Sequence, residues 1–406
     1  MKRKVLIIIE NATYPFDSRV RNEALALLSH GYEVTVLCPR DGHSSVPHEV
    51  IDGVRVYRHP SVEQGGGRLG YLLEYSLALF WEFFYAWWVY FRHGFHVIQG
   101  CNPPDTIFLV ALPFKLLGVR YIFDHHDVNP ELYESKYNKR GFLHKVLVVL
   151  EKLTYRFSDV VIATNESYRN LAISRGSLAA LDVFIVRNGP KEGFKPVPCN
   201  PERKHGKPYL VGYVGNMDVQ DGLDILLDVS FRVNQLGRTD VHFTCVGGGP
   251  QLNTLREMVR EKGLAETVDF TGRMSDEDLL DILSTADLCV NPDKPCEMNN
   301  ISTMNKIMEY MALGKPIVQF NSKEGKFSAR EASLYANTHN PINDFAEKIL
   351  WLLDRPDLRK QMGEFGRNRV EKELGWEHSV PNLLAAYERA FANGSVGHPA
   401  ETGLTE

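Results

Sequence analysis

Residues 188–208, NGPKEGFKPVPCNPERKHGKP, divide the chain. Prolines at 190, 196, 198, 201 and 208 fix φ and remove backbone donors, so neither helical nor alternating apolar periodicity survives there. Before this stretch, short β-branched runs alternate with amphipathic helical segments, and strands are predicted near residues 4–9, 33–38, 54–58, 96–100, 119–124, 159–163 and 183–187. After it the alternation starts afresh, near 209–214, 241–246, 267–271, 287–291 and 316–320. Such alternation builds parallel sheets through right-handed crossovers. The expected fold class is α/β, with two doubly wound parallel-sheet domains over residues 1–190 and 205–372. Their cleft would collect ligands at the carboxyl ends of the strands. The Gly-rich polar tail 392–406 is expected to be disordered.

The bulk properties narrow the class. With 406 residues, 44% apolar and 24% charged, the chain has material for sizeable cores. A net charge of -5, with only a slightly basic first half, excludes nucleic acid as an obvious partner. Six cysteines without CxxC spacing or His partners at metal-ligand intervals read as buried free thiols in a reducing compartment. The N-terminal basic residues precede an apolar run, Val5–Ile9, that is too short for a secretory segment and reads as a buried strand. A cytoplasmic protein is expected.

Five loops carry candidate chemistry. Ser302–Pro316 (STMNKIMEYMALGKP) reads as a helix with Ser302 or Thr303 as N-cap, Gly314 as C-cap and Pro316 as stop. Its first turn offers free amides, a positive dipole end and Lys306, which suit a diphosphate. Glu309, read as two turns in, can accept both hydrogen bonds of a ribose diol. The plain alternative is a capped amphipathic helix. Val214–Leu223 (VGNMDVQDGL) is a strand, glycine turn and helix start, and Val246–Pro250 (VGGGP) is a second glycine turn that lacks the GxGxxG pattern. Phe123–Glu131 (FDHHDVNPE) places four adjacent ionisable residues, Asp124 to Asp127, at a strand's carboxyl end. Glu10–Arg19 (ENATYPFDSR) joins the first strand to a helix, with Asp17 either an N-cap or a binding group.

Glu309–Val318 (EYMALGKPIV) resembles the donor-site signature of retaining glycosyltransferase family 4, a GT-B fold of two Rossmann-like domains. The resemblance runs from Lys4 to about Phe391 and implies an N-terminal acceptor domain, a C-terminal donor domain and a helix at 376–391 crossing back onto the first. It gives Glu309 to the donor ribose. The first glutamate of the family's E(x)7E pair falls on Ile301, and Glu297 is its nearest substitute. The donor set it implies is Gly215, Asn216, Gln220, Asp221, Gly248, Ser302, Thr303, Asn305, Lys306 and Glu309. Gln220 and Asp221 stand where relatives commonly carry a phosphate-gripping Lys, which leaves phosphate neutralisation to backbone amides, Lys306 and Arg273. His126 and Asp127 resemble the family's His-Asp element, so the catalytic set is His126, Asp127 and Lys306. Asp17, Arg19, Asn102 and Glu131 are the implied acceptor-binding residues.

The implied reaction is retaining transfer from a nucleoside-diphosphate sugar, here a UDP-sugar, without metal or other cofactor. The subgroup resemblance points to bacterial surface polysaccharide, with a polyprenyl-diphosphate-linked saccharide as acceptor. Residues 71–91, crowded with Phe, Trp and Tyr but split by Glu74 and Glu82, fit a peripheral helix on the inner face of the cell membrane or a core helix, and are too interrupted to span it. A nucleotide-sugar 2-epimerase and a non-catalytic two-lobe sugar-binding protein are the rival readings.

Overall fold

A computed structural model describes residues 3–41, 46–61 and 68–392, with backbone alone over 68–74. The tail expected to be disordered lies outside the described residues from position 393 onward. The chain forms two compact units, Met1–Glu134 with Asn138–Arg187 and Ser379–Glu406, and Ser135–Tyr137 with Asn188–His378.

In the first unit the strands are Lys4–Ile9 (β1), Glu33–Pro39 (β2), His48–Ile51 (β3), Val54–His59 (β4), Val97–Cys101 (β5), Arg120–His125 (β6), Val160–Ala163 (β7) and Val183–Ile185 (β8). They form one sheet in the order β3-β4-β2-β1-β5-β6-β7-β8, parallel except for β3. β1 is buried along Val5–Ile9, as a central strand covered on both faces must be. β3 is absent from the sequence-based expectation. It is a short edge strand returned onto β4 by Asp52-Gly53, both at positive φ (51° and 87°), a hairpin turn of the Asp-Gly kind.

In the second unit Tyr209–Val214 (β9), Val241–Val246 (β10), Val268–Gly272 (β11), Leu288–Asn291 (β12), Ile317–Phe320 (β13) and Ser333–Ala336 (β14) form a wholly parallel sheet, β11-β10-β9-β12-β13-β14. Alternate residues of β9 serve opposite faces: Val211 and Tyr213 join one core with Leu226, Phe243 and Phe345, while Leu210 joins the other with Ile307, Met308 and Met311. Strand order reverses between β9 and β12, the position at which doubly wound sheets open a ligand crevice.

The helix between β12 and β13 begins later than its sequence indicates. Glu297–Ile301 is a separate short helix, Ser302 is extended, and the longer helix runs Asn305–Ala312 with Met304 at the N-cap and no side-chain cap. Ser302 and Thr303 are therefore not its caps, and Glu309 lies one turn in rather than two. The C-terminal end follows the sequence. Gly314, at φ 67°, donates to the Met311 carbonyl, and Lys315 to that of Tyr310, a Schellman closure. Gly363, on the helix Pro356–Arg369, approaches this end so closely that a Cβ there would lie 2.0 Å from the Gly314 carbonyl oxygen. Gly363→Ala is expected to destabilise the second unit by about 1–3 kcal/mol through overpacking, read as a lowered thermal midpoint.

Candidate active site

At the carboxyl ends of β9 and β12, the Tyr310 hydroxyl accepts from the Val214 amide (2.9 Å) and donates to the Val290 carbonyl (3.2 Å), fixing the helix Asn305–Ala312 against both strands. One residue earlier, Glu309 holds a partly exposed carboxyl group that makes no hydrogen bond or ion pair among the described residues. Desolvation pushes its pKa up to about 7, against the pull of Lys191.

Lys306 does not stand free beside it. Its ammonium donates to Asp293 (2.6 Å), lies 3.9 Å from Asp221 and sits over the Tyr213 ring. Burial raises the Asp221 pKa to about 6 although Lys306 pulls it down. Asp221 also accepts the Asp218 amide (2.9 Å), and the Gln220 carbonyl accepts from the Lys294 amide (2.9 Å) and Asn299 Nδ2 (3.0 Å), while Gln220 Oε1 is buried without a partner among the described residues. The two glycine turns pack on each other. Gly215 donates to Val246 (3.1 Å), Met217 to Gly248 (2.9 Å), and a Cβ on Gly247 would meet the Gly215 carbonyl oxygen at 1.9 Å. Backbone-to-backbone approach therefore accounts for part of the glycine pattern in these two turns. Beside Gly248 lies Arg273, exposed and without an ion pair among the described residues. Asn216 is exposed, and Asn305 accepts from Asn188 (3.1 Å). Ile301, where the family's first glutamate would stand, is buried, and Glu297 is exposed near Asp293, Asn299 and Ser322 around an open pocket.

In the first unit, His126 Nε2 lies 2.6 Å from Asp124, which also accepts from Arg19 (2.7 Å) and Gln99 (3.0 Å). Gln99 bonds Glu23 (2.6 Å) and accepts from the Tyr387 hydroxyl. Burial opposes charge on His126, but Asp124 outweighs it and raises its pKa. Glu23, desolvated beside Asp124, rises to about 8. Neighbouring His125 is forced down to about 3 by burial and faces Tyr155.

This arrangement changes the acceptor set. Arg19 is buried and committed to Asp124, to Glu23 (3.2 Å) and to the Val186 carbonyl (2.8 Å), so it is a structural cation with nothing left for a phosphate. Asp17 caps the helix Ser18–Ser29 through the Val20 amide (2.8 Å). Asn102 clamps the loop that carries His126 and Asp127, accepting from both amides (2.6 and 3.2 Å) and donating to Asp105 and to the Asp127 carbonyl. Glu131 is paired with Arg175 at 2.5 Å. Asp124, Gln99, Glu23, Tyr387, Asp293 and Tyr213 are partners that the sequence reading left unassigned. Cys101, Asp124 and His126 are near enough to share a metal ion, but Arg19 already supplies the countercharge to Asp124.

Residues 208–355 match the family described as Glycosyl transferases group 1, and residues 17–189 match the Glycosyl transferase 4-like domain. The chain belongs to the group 1 glycosyltransferases. Among relatives of this glycosyltransferase, alpha-D-kanosaminyltransferase of Streptomyces kanamyceticus is 27% identical over 38% of the chain and 39% of its own length. GDP-mannose-dependent monoacylated alpha-(1-6)-phosphatidylinositol monomannoside mannosyltransferase of Corynebacterium glutamicum is 25% identical over 47% of the chain and 53% of its own length. The chain thus spans about half the length, or less, of these curated relatives. Anabaena HepE in complex with UDP-glucose shares the GT-B fold at a TM-score of 0.70 and 15% identity, over 95% of this chain and 99% of that one.

For this glycosyltransferase the Asp124–His126 pair has a defined pH signature. A histidine whose pKa is raised on folding contributes stability that is full below about 6.5 and is lost as pH rises through the higher folded value. Asp124→Asn should bring the His126 titration, followed by NMR, below about 6.5, because burial and Arg19 then outweigh the smaller pull of Asp17.

Proposed function

We propose that this enzyme transfers a sugar, with retention of anomeric configuration, from a UDP-sugar to a lipid-linked saccharide used in surface polysaccharide. The observation that carries the donor half is the unpartnered Glu309 carboxylate, held one helical turn from Lys306 at the strand-order reversal. An acceptor-only group so placed suits two adjacent hydroxyls of a ribose. The UDP-glucose bound by Anabaena HepE supports a uridine donor, whereas the corynebacterial relative is named for GDP-mannose.

Lys306 is neutralised by Asp293 and Asp221, so the negative diphosphate falls to Arg273 and to the amides of Asn305 and Lys306 at the helix start, the Ile307 amide being taken by the Met304 carbonyl. Stabilising the departing diphosphate lowers the barrier to breaking the glycosidic bond, and the same phosphate takes the proton of the incoming hydroxyl. This scheme needs no metal ion. His126, whose protonated form Asp124 favours and orients, is a hydrogen-bond donor for a sugar hydroxyl, and Asp127 stands beside it. The lipid acceptor is supported by the helix Arg68–His93, whose Phe80, Phe84, Trp88 and Phe91 are exposed while Ala78, Glu82, Ala86 and Val89 face the core. Among the described residues no helix is long and apolar enough to cross a membrane.

Two measurements test this reading. UDP-sugar affinity by calorimetry should weaken as pH falls below about 7, where Glu309 takes up a proton, and Glu309→Gln should cost about 10- to 100-fold and flatten that dependence. Unchanged affinity in Glu309→Gln removes the ribose assignment. Replacing Phe84 and Phe91 with Ser should release the enzyme from anionic liposomes in flotation while leaving donor affinity intact. Equal flotation of the variant and the parent would remove the membrane reading.

A further inference from the structure

A second cluster stands apart from the groups given a role in sugar transfer. Glu10 follows β1, His59 ends β4, and Glu82 lies on the core-facing stripe of the helix Arg68–His93. One ligand-type atom from each lies within 4.8 Å of the others. His59 and Glu82 are 0% and 1% exposed. Glu10 Oε2, His59 Nε2 and both carboxylate oxygens of Glu82 are buried with no hydrogen-bond partner among the described residues.

The tautomer of His59 sharpens the case. Its Nδ1 lies 3.0 Å from the Pro60 carbonyl, which can only accept, so Nδ1 carries a proton. In the neutral ring Nε2 is then a bare lone pair, 2.9 Å from a Glu10 carboxylate oxygen and not aligned with it as donor to acceptor. Two carboxyl groups and an imidazole lone pair converge on one spot, a costly arrangement in a dry interior unless a cation lies between them. A carbonyl bonded to the far nitrogen is also the usual second partner of a metal-ligating histidine.

We propose that Glu10, His59 and Glu82 bind one divalent transition cation of the Zn2+ class. Metal bonds of roughly 2.0–2.2 Å place tetrahedral ligand atoms about 3.4 Å apart, within the span these side chains already have. The imidazole selects against Mg2+ and Ca2+, which take oxygen ligands. Three protein ligands leave a fourth position, and an open pocket walled by Glu10, Asn11, Thr13, Arg40, Pro60 and Ala78 adjoins the cluster as an entry path. The ion ties the aromatic helix to the carboxyl ends of β1 and β4.

The test uses the full chain stripped with EDTA and titrated with Zn2+ by calorimetry and with Co2+ by visible absorption. We expect one equivalent bound, a raised thermal midpoint and d–d bands of low-symmetry Co2+. Glu82→Gln and His59→Gln should each weaken binding at least tenfold, while His242→Gln, in the more exposed cluster with His205 and Asp269, should not. Glu10→Gln, at the partly exposed edge, serves if the two buried substitutions impair folding. No binding by the parent protein, binding unchanged by Glu82→Gln or Glu10→Gln, or loss only with His242→Gln would overturn the proposal. Equal thermal midpoints for stripped and Zn2+-loaded parent protein would overturn it too.

Discussion

The Tyr310 hydroxyl resolves a problem that the second sheet creates for itself. β9 and β12 pair only at Val211–Leu288 and Gly212–Cys289, then diverge, leaving the Val214 N–H and Val290 C=O facing a gap. An unmet buried backbone group costs about as much as a lost hydrogen bond, and one side chain that both accepts and donates meets both needs. Because that side chain belongs to the helix Asn305–Ala312, the crevice and the helix become a single rigid object. Glu309 inherits its position from Tyr310, and the Schellman closure at Gly314 with the close approach of Gly363 holds the other end.

The first unit organises its own sheet end by charge. Asp124, at the end of β6, is buried with Arg19, Glu23, Gln99 and His126 around it. Arg19 and His126 outweigh the burial of Asp124 and hold its pKa far below the ordinary carboxylate range, whereas Glu23 remains high. Such a set is stable only when complete, since removing one member strands the others in a low-dielectric interior. Tyr387, on the helix Trp376–Ala392, closes it through Gln99, so a residue near the end of the sequence helps to orient His126.

The fold was legible because its signals are local: β-branched runs, the proline-rich break at 188–208 and the helix terminator at Gly314–Pro316. β3 and β14 escaped, being four-residue edge strands with little apolar pattern, and the Asp52-Gly53 turn that closes the β3 hairpin went unread. Of the candidate site, the elements that carry its residues were legible and their partners were not. His126 and Glu309 sit on the elements their motifs indicate, but the sequence could not show that Asp293 meets Lys306, or that Asp124 meets Arg19 from 105 residues away. Glu10, His59 and Glu82 carry no spacing that a local scan can use, since three separate elements bring them together.

Partnership also decides what each cation can do. A lysine in the first turn of a helix suggests a phosphate ligand, yet Lys306 is already balanced by a carboxylate at 2.6 Å and another at 3.9 Å. Releasing it would strand Asp293, whose second oxygen has no partner among the described residues. An exposed arginine pays less desolvation on meeting an anion, and its planar fork suits two phosphate oxygens at once. Arg273, outside the motif yet beside Gly248, is therefore the cation that an anion meets at the smaller desolvation cost, whereas Lys306 is spent on balancing Asp293 and Asp221.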